Sequence, residues 1–131
     1  MLGRERGTWS RLLAALERAR RSVVAPELLW SESVSVLHDL AWRGRIDPAQ
    51  AEAAVALVLG APVSPRRPRG LRRRAWEIAE RLGWAKTYDA EYCALAELLG
   101  CELITADGRL RAAGTRLGYI FTPTEAAARL T

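Results

Sequence analysis

The segment from Thr87 to Asp107, TYDAEYCALAELLGCELITAD, constrains the fold of this chain more than any other stretch. Its apolar residues recur at helical spacing as far as Leu99, and Gly100 follows, where a left-handed residue commonly ends a helix. Cys101–Ala106 is a short apolar run of the kind that is buried in a parallel sheet. The segment therefore predicts a helix that turns directly into a buried strand.

Two acidic residues stand at the outer ends of this predicted helix and strand. Thr87 is the predicted N-cap, and Asp89 falls in the first turn, where a carboxylate suits the positive end of the helix dipole. Asp107 follows the strand directly, and ligands of open α/β sheets bind outside the carboxyl ends of the strands. Asp89 and Asp107 thus predict a site if the fold brings them together.

A third acid lies in an earlier predicted helix, which opens with Pro26 at its first position and runs to about Trp42. Glu32 shares the side of this helix that carries Leu29 and Val36. A glutamate on an apolar stripe is unfavourable unless it is paired, protonated or bound to a cation. The alternative, that Glu32 sits at the edge of the stripe and reaches solvent, has equal support from the pattern.

Histidine and cysteine usage narrows the chemistry that this chain can perform. His38 is the single histidine, which argues against Ser-His-Asp or Cys-His catalysis and against a zinc site. Cys93 and Cys101 both lie inside apolar patterns, so both are predicted to be core thiols in a reducing compartment. Any catalysis is therefore expected to rest mainly on carboxylates.

The chain carries a net charge of +5, which favours a polyanionic partner such as nucleic acid. The loop and helix start between residues 66 and 74 hold six arginines. These arginines are Arg66, Arg67, Arg69, Arg72, Arg73 and Arg74. The pattern leaves two interpretations open: these arginines contact phosphates, which guanidinium groups bind in a bidentate manner, or they form a solvated basic face, which the pattern favours. No apolar run approaches the ~18 residues of a membrane span, and no secretory signal is recognisable, so a cytoplasmic protein is expected.

Strands and helices alternate along all 131 residues, which predicts one α/β domain over residues 1–131 with a parallel sheet. The five tryptophans are expected to pack mostly in the core. The remaining predicted elements are helices at Thr8–Arg21, Asp47–Leu59, Leu71–Leu82, Arg109–Ala113 and Thr122–Leu130, and strands at Ser22–Ala25, Ala61–Ser64 and Leu117–Thr122. Two of these helices begin with capping boxes, at Asp47–Gln50 and Thr122–Glu125.

Three segments together resemble the PIN-domain family, and within it the VapC-type toxins of bacterial toxin–antitoxin pairs. They are Pro26–Glu32 (PELLWSE), Tyr88–Ala90 with the ALA that follows at 94–96, and Leu103–Asp107 (LITAD). Their order and spacing agree with the family pattern from about Val23 to Phe121.

The resemblance implies a three-layer α/β/α sandwich with a short parallel sheet and acidic side chains gathered at one end of it. Carried over to this sequence, Glu32, Asp89 and Asp107 are the acids that hold Mg²⁺ or Mn²⁺, and Thr105 is the associated hydroxyl residue. It further implies an endoribonuclease that cuts RNA, a VapB-like antitoxin partner and a homodimer. Carboxylate oxygens are the ligands that Mg²⁺ prefers, which makes this set chemically coherent.

One departure from the family pattern concerns the start of the chain. Family members open with an apolar strand that carries a first metal-binding aspartate, whereas nothing of that kind precedes Thr8, and Met1–Gly7 resembles the turn that follows it. The expectation is that the N-terminal strand is missing, either through a misplaced start or in a decayed member. Activity of this chain is therefore in doubt, and the alternative is a catalytically inactive PIN-like module that binds RNA or an antitoxin.

Overall fold

The computed structural model describes residues 2–130, with side chains from Gly7 onward. Within that range the chain alternates between helices and short strands. In chain order the elements are α1 (Leu2–Arg18), β1 (Val23–Ala25), α2 (Leu28–Trp42), α3 (Pro48–Gly60), β2 (Val63–Pro65), α4 (Leu71–Leu82), α5 (Tyr88–Leu99), β3 (Leu103–Ile104), α6 (Gly108–Ala113), β4 (Ile120–Phe121) and α7 (Pro123–Leu130).

The elements fall into two compact units. Residues 1–23 and 68–131 form the large unit, which contains α1, α4 to α7, β3 and β4. Residues 24–67 form the small unit, which contains α2, α3, β2 and most of β1. The expectation of a single domain over residues 1–131 stays a prediction.

The core of the large unit lies between α4 and α5, the two helices with the most extensive mutual packing. Small and medium side chains fill this interface and allow the helix backbones to approach closely. The buried residues are Leu71, Ala75, Ile78 and Ala79 of α4, and Ala90, Cys93, Ala94, Leu95 and Ala96 of α5. Burying a side chain such as that of Ile78 contributes roughly 1.5–3 kcal/mol, so this interface dominates the stability of the unit.

The strands β3 and β4 pair in parallel, with Leu103 opposite Ile120 and Ile104 opposite Phe121. Helices α6 and α7 pack on β4, and α1 packs on α7. Gly114, at the end of α6, permits the contact with β4, because a Cβ added there would lie 2.6 Å from the Ile120 Cβ. A short parallel pair therefore joins the core helices to the C-terminal part of the chain.

The small unit is built on the packing of α2 against α3. The predicted capping box starts α3 as expected: the Asp47 side chain accepts a hydrogen bond from the Gln50 amide, and the Gln50 side chain accepts one from the Asp47 amide. No residue of α2 is fully buried, and Ala51 is the only buried residue of α3. The two helices thus share a shallow contact and leave much of their apolar surface exposed.

The α/β class is confirmed, and the described strands form two separate two-stranded sheets. The predicted runs at 101–106 and 117–122 shorten to two paired residues each, with hydrogen bonds from Leu103 to Tyr119 and from Thr105 to Phe121 holding the two strands together. The first helix begins at Leu2, so Leu2–Gly7 is helical and the prediction of a turn there is wrong. The three-layer sandwich and the missing N-terminal strand stay predictions.

Several packing predictions are corrected by the structure. Cys93 is buried as predicted, but Cys101 is exposed, because it follows the Gly100 turn and precedes the paired part of β3. None of the five tryptophans is fully buried, and the side chain of Trp42 is 79% exposed. Pro26 precedes the N-cap residue Glu27 and does not occupy the first helical position. Alanine-rich helices meet too closely to leave core space for large aromatic side chains.

No helix within residues 2–130 is both long enough and apolar enough to cross a membrane.

Candidate functional site

Asp107 occupies the turn where β3 passes into α6. Its Oδ1 accepts hydrogen bonds from the backbone amides of Arg109, at 2.9 Å, and of Leu110, at 3.5 Å, so the carboxylate caps α6. The Thr105 Oγ1 in turn accepts a hydrogen bond from the Asp107 amide at 3.0 Å. Thr105 therefore fixes the backbone that carries the acid, which gives the hydroxyl residue of the motif a defined structural role.

The Asp107 carboxylate remains ionised and accessible. Hydrogen bonds from the Arg109 and Leu110 amides lower the pKa of its carboxyl below the ordinary value, against a smaller opposing effect of burial. The side chain is 37% exposed, and the nearest cation to Oδ2 is the exposed Arg109 guanidinium at 3.6 Å. One carboxylate oxygen is thus committed to the helix cap, while the other has the exposed Arg109 guanidinium as its neighbour on a part-exposed side chain.

Asp89 lies in the first turn of α5 and is exposed. Thr87 holds the N-cap position, but its side chain makes no capping hydrogen bond, and its backbone lies in the α region with φ −97° and ψ 0°. A capping hydroxyl normally needs an extended backbone at this position, which explains the missing hydrogen bond. Without that cap, the helix dipole favours the carboxylates of the first turn, Asp89 and Glu91.

Asp89 and Asp107 both belong to the large unit. Asp89 lies in the first turn of α5, and Asp107 follows β3, which contacts α5 after the turn at Gly100. The two acids thus stand on elements that pack together, and their meeting in one site stays a prediction.

Glu32 belongs to the small unit, in the middle of α2, and is exposed. The prediction that it lies on the buried side of the helix is wrong, because the stripe to which it belongs is itself poorly covered. Val36, one turn further on, is 57% exposed. Glu32 accordingly reaches solvent, the alternative that the sequence pattern had left open.

No group of three or more His, Cys, Asp and Glu side chains is arranged to hold a metal ion within the described residues. The donor chemistry nevertheless fits Mg²⁺ or Mn²⁺, since Glu32, Asp89 and Asp107 all present carboxylates on exposed or part-exposed surface. Mg²⁺ usually keeps several waters and takes only one or two protein carboxylates. The chemistry of these side chains therefore suits such an ion, and their assembly around one stays a prediction.

Glu97, on α5, is the centre of a polar cluster with Arg74 and Tyr119. The sequence did not indicate this cluster. The Arg74 guanidinium donates to the Glu97 Oε1 from Nε at 2.8 Å and from Nη2, and the Tyr119 hydroxyl donates to Oε2 of the same carboxylate. Burial and the bond to Glu97 raise the pKa of Tyr119, and burial raises the pKa of the nearby Cys93 thiol to about 11. These partners lie 22 and 23 residues from Glu97 in sequence, so no local pattern could have revealed them.

The six arginines between residues 66 and 74 are not equivalent in the structure. Arg67 pairs with Glu27 in the small unit, and Arg74 pairs with Glu77 and Glu97 in the large unit. The other four, Arg66, Arg69, Arg72 and Arg73, are exposed. Arg74 therefore joins α4 to α5, and the exposed four are the better candidates for phosphate contacts.

The sequence model of the PIN domain family matches residues 1–115. The chain is 40% identical over 105 residues to the ribonuclease VapC9 of Mycobacterium tuberculosis and to the VapC ribonuclease Mb0985 of Mycobacterium bovis. Each match covers 80% of this chain and 77% of the relative. No solved structure matches the chain at comparable significance.

Proposed function

Because this chain belongs to the PIN domain family, we propose that it is a VapC-type endoribonuclease that hydrolyses RNA with the help of Mg²⁺ or Mn²⁺. The observation that carries the proposal is the similarity to VapC ribonucleases over most of the chain. The position of Asp107 supports it, because an ionised and part-exposed carboxylate follows the carboxyl end of β3.

In this proposal Asp89, Asp107 and Glu32 hold the cation through carboxylate oxygens. When bound, such an ion lowers the pKa of an attacking water and stabilises charge that develops on the phosphate. Thr105 positions Asp107 through the hydrogen bond to its amide, and the two α6 amides keep the carboxylate ionised. The exposed arginines Arg66, Arg69, Arg72 and Arg73 attract the RNA backbone.

The test is cleavage of RNA with Mg²⁺ or Mn²⁺ by the chain and by Asp89→Asn and Asp107→Asn. Each variant is expected to lose about 100-fold or more in rate, since metal-derived stabilisation is worth several kcal/mol and about 1.4 kcal/mol is tenfold. Asp39→Asn is the matched control, because Asp39 is an exposed carboxylate paired only with Arg43 on its own helix. Equal cleavage by all four proteins would show that these acids are not the site.

The second candidate function is a catalytically inactive PIN-like module that binds RNA or a VapB-like antitoxin. Exposed apolar surface in the small unit favours a protein partner, because patches of this kind mark interaction sites. Large apolar side chains there are 57–79% exposed: Val36, Trp42, Leu57 and Leu59. A groove of about 810 Å³ runs along α2 beside Trp30, Val34 and Trp42.

Calorimetric titration with Mn²⁺ separates the two candidates. A catalytic site is expected to bind the ion with an affinity that falls in Asp107→Asn and is unchanged in Asp39→Asn. A chain that neither binds Mn²⁺ nor cuts RNA, yet associates with RNA or an antitoxin, has the second function.

A further inference from the structure

A second cleft lies in the large unit, at the amino end of β3 and so at the opposite end of that strand from Asp107. Its volume is about 770 Å³, within the range of small-ligand pockets. Its walls come from the end of α1, the Gly100 turn, the residues before β4, and α7. The residues that bear on its chemistry are Arg20, Arg21, Cys101, Tyr119, Phe121 and Arg129.

Both acids of this cleft are neutralised by other residues. Glu102 pairs with Arg129 at 2.5 Å, and the Arg129 guanidinium also lies 4.2 Å from the centre of the Phe121 ring. Glu97 is engaged by Arg74 and by the Tyr119 hydroxyl. Each of the two carboxylates that line the cleft therefore already has a hydrogen-bonding partner.

Arg20 and Arg21 supply the uncompensated charge. Both side chains are exposed and line the cleft, and neither makes an ion pair with any side chain that the structure describes. Two arginines beside acids that are already paired create a local positive field. Guanidinium groups present several donors in a plane, which suits the oxygens of a phosphate group.

The backbone at Arg20 gives an independent indication that this position is special. Four helices end in the same way. The N–H of a residue with positive φ donates a hydrogen bond to the carbonyl three residues before it, and the N–H of the next residue donates one to the carbonyl five residues before itself. Glycine fills the position of positive φ after α2, α4 and α5, at Gly44, Gly83 and Gly100. After α1 the residue is Arg20, with φ 55°, the only non-glycine residue of positive φ in the described range.

A residue with a side chain is strained in this conformation relative to the right-handed region, whereas glycine adopts it without that strain. An arginine thus occupies the position that glycine occupies after α2, α4 and α5. It lies at the edge of a cleft that a second arginine also lines. Strain retained at a surface position is a sign of function when the strained side chain has something to bind.

We propose that this cleft binds the phosphate group of a nucleotide, free or within an RNA strand, through the guanidinium groups of Arg20 and Arg21. Tyr119 provides an aromatic wall for the base, since stacking on aromatic rings is tolerant of base identity, whereas the Phe121 ring already faces Arg129. This site is separate from the proposed cleavage site, and binding to it requires neither a metal ion nor cleavage.

Cys101 provides a reporter within the cleft itself. It is exposed and lines the cleft, whereas Cys93 is buried and its thiol pKa is raised by burial. The experiment measures the rate at which a maleimide modifies Cys101 in the folded chain, in EDTA. The added probes are adenosine 5′-monophosphate, inorganic phosphate and a short single-stranded RNA.

Each phosphate compound is expected to slow modification of Cys101. Arg20→Gly is expected to raise the concentration of compound needed for half-maximal protection about tenfold or more, because a charge-assisted hydrogen bond is lost. Arg20→Gly removes the strain at φ 55°, so its Tm is expected to equal or exceed that of the unaltered chain. Arg21→Gln, which leaves the end of the helix unchanged, is expected to show the same loss of protection. Arg81→Ala is the matched control, because it removes an arginine from the end of α4, outside the cleft.

Protection by RNA at lower concentration than by the mononucleotide supports the strand as ligand, and the reverse order supports a free nucleotide. The proposal is overturned if none of the three compounds protects Cys101, or if Arg20→Gly and Arg21→Gln leave protection unchanged. It is also overturned if an oligoglutamate peptide protects Cys101 while the phosphate compounds do not. Because EDTA removes the metal ion, a failure of the cleavage proposal does not affect these outcomes.

Discussion

The large and small units bury their apolar residues to very different extents. In the large unit α4 and α5 enclose a continuous set of buried residues, among them Ile78 at 2% exposure and Cys93 at 0%. In the small unit α2 has no buried residue, and Leu57 on α3 is 73% exposed. The facing sides of α4 and α5 bury their apolar side chains against each other, although Trp76 and Tyr88 stay exposed, whereas α2 and α3 bury only Ala51.

The difference has a cause in side-chain size and spacing. The α4–α5 interface alternates alanine with leucine and isoleucine, so that ridges of large side chains fit beside small ones. Helices α2 and α3 carry large residues such as Trp42 and Leu57 on sides that no other helix of their unit covers. Hydrophobic composition alone therefore does not distinguish a core helix from one that serves as an interface.

The largest expected effect is on the core of the large unit. Ile78→Ala is expected to lower the free energy of unfolding by about 2–5 kcal/mol, because it leaves a cavity between α4 and α5. Leu57→Ala, the matched change on exposed surface, is expected to change it by no more than about 0.5 kcal/mol. Urea denaturation of both variants measures this contrast, and similar losses would mean that the two units do not differ in burial as described.

A smaller effect is expected on association through the small unit. If its apolar surface is the dimer interface, Trp42→Ala should weaken self-association about tenfold or more, as truncation of a large aromatic residue commonly does at interfaces. Trp76→Ala, which removes an exposed tryptophan from the large unit, is the control and should leave association unchanged. Light scattering during size-exclusion chromatography reports the mass, and a dimer unaffected by Trp42→Ala would place the interface elsewhere.

The smallest effect concerns pH and the start of α7. The Arg111 guanidinium and the Thr122 amide bind the Glu125 carboxylate and lower its pKa from 4.5 to about 2. Stability from this depressed pKa is complete above about pH 4.5 and is lost as the pH falls toward 2.

Glu125→Gln is expected to reduce Tm at neutral pH and to converge with the unaltered chain only as the pH falls to about 2. Thr124→Ala, at the neighbouring exposed position, is the control and should leave the pH dependence of Tm unchanged. A Tm difference that stays constant from pH 7 to pH 2 would show that the charge of Glu125 does not stabilise the fold.

Local patterns predicted the helices and their ends well. The capping boxes at Asp47 and at Thr122–Glu125, and the stop at Gly100, are present because each depends on residues within four positions of one another. The acids Asp89 and Asp107 also stand where the pattern predicted, at a helix start and after a strand. These features require only the chemistry of the backbone and its nearest side chains.

Features that depend on distant partners could not be predicted in this way. The pattern left open whether Glu32 lies on a covered side of α2 or reaches solvent, because coverage depends on what packs against the helix, and Glu32 is exposed. Cys101 was expected in the core, yet the parallel pair with β4 begins only at Leu103. The length of a strand is set by its partner, which a single apolar run does not reveal.

The sequence by itself determined the capping boxes, the stop at Gly100, which acids stand at helix and strand ends, and the motifs of the PIN domain family, because these depend on short-range spacing. Only the tertiary structure decided that α4 and α5 form the core, that α2 and α3 keep exposed apolar surface, and that Arg20 and Arg21 meet the end of α5 at a cleft. Burial and charge compensation are properties of residues far apart in the chain, so they exist only once the chain has folded.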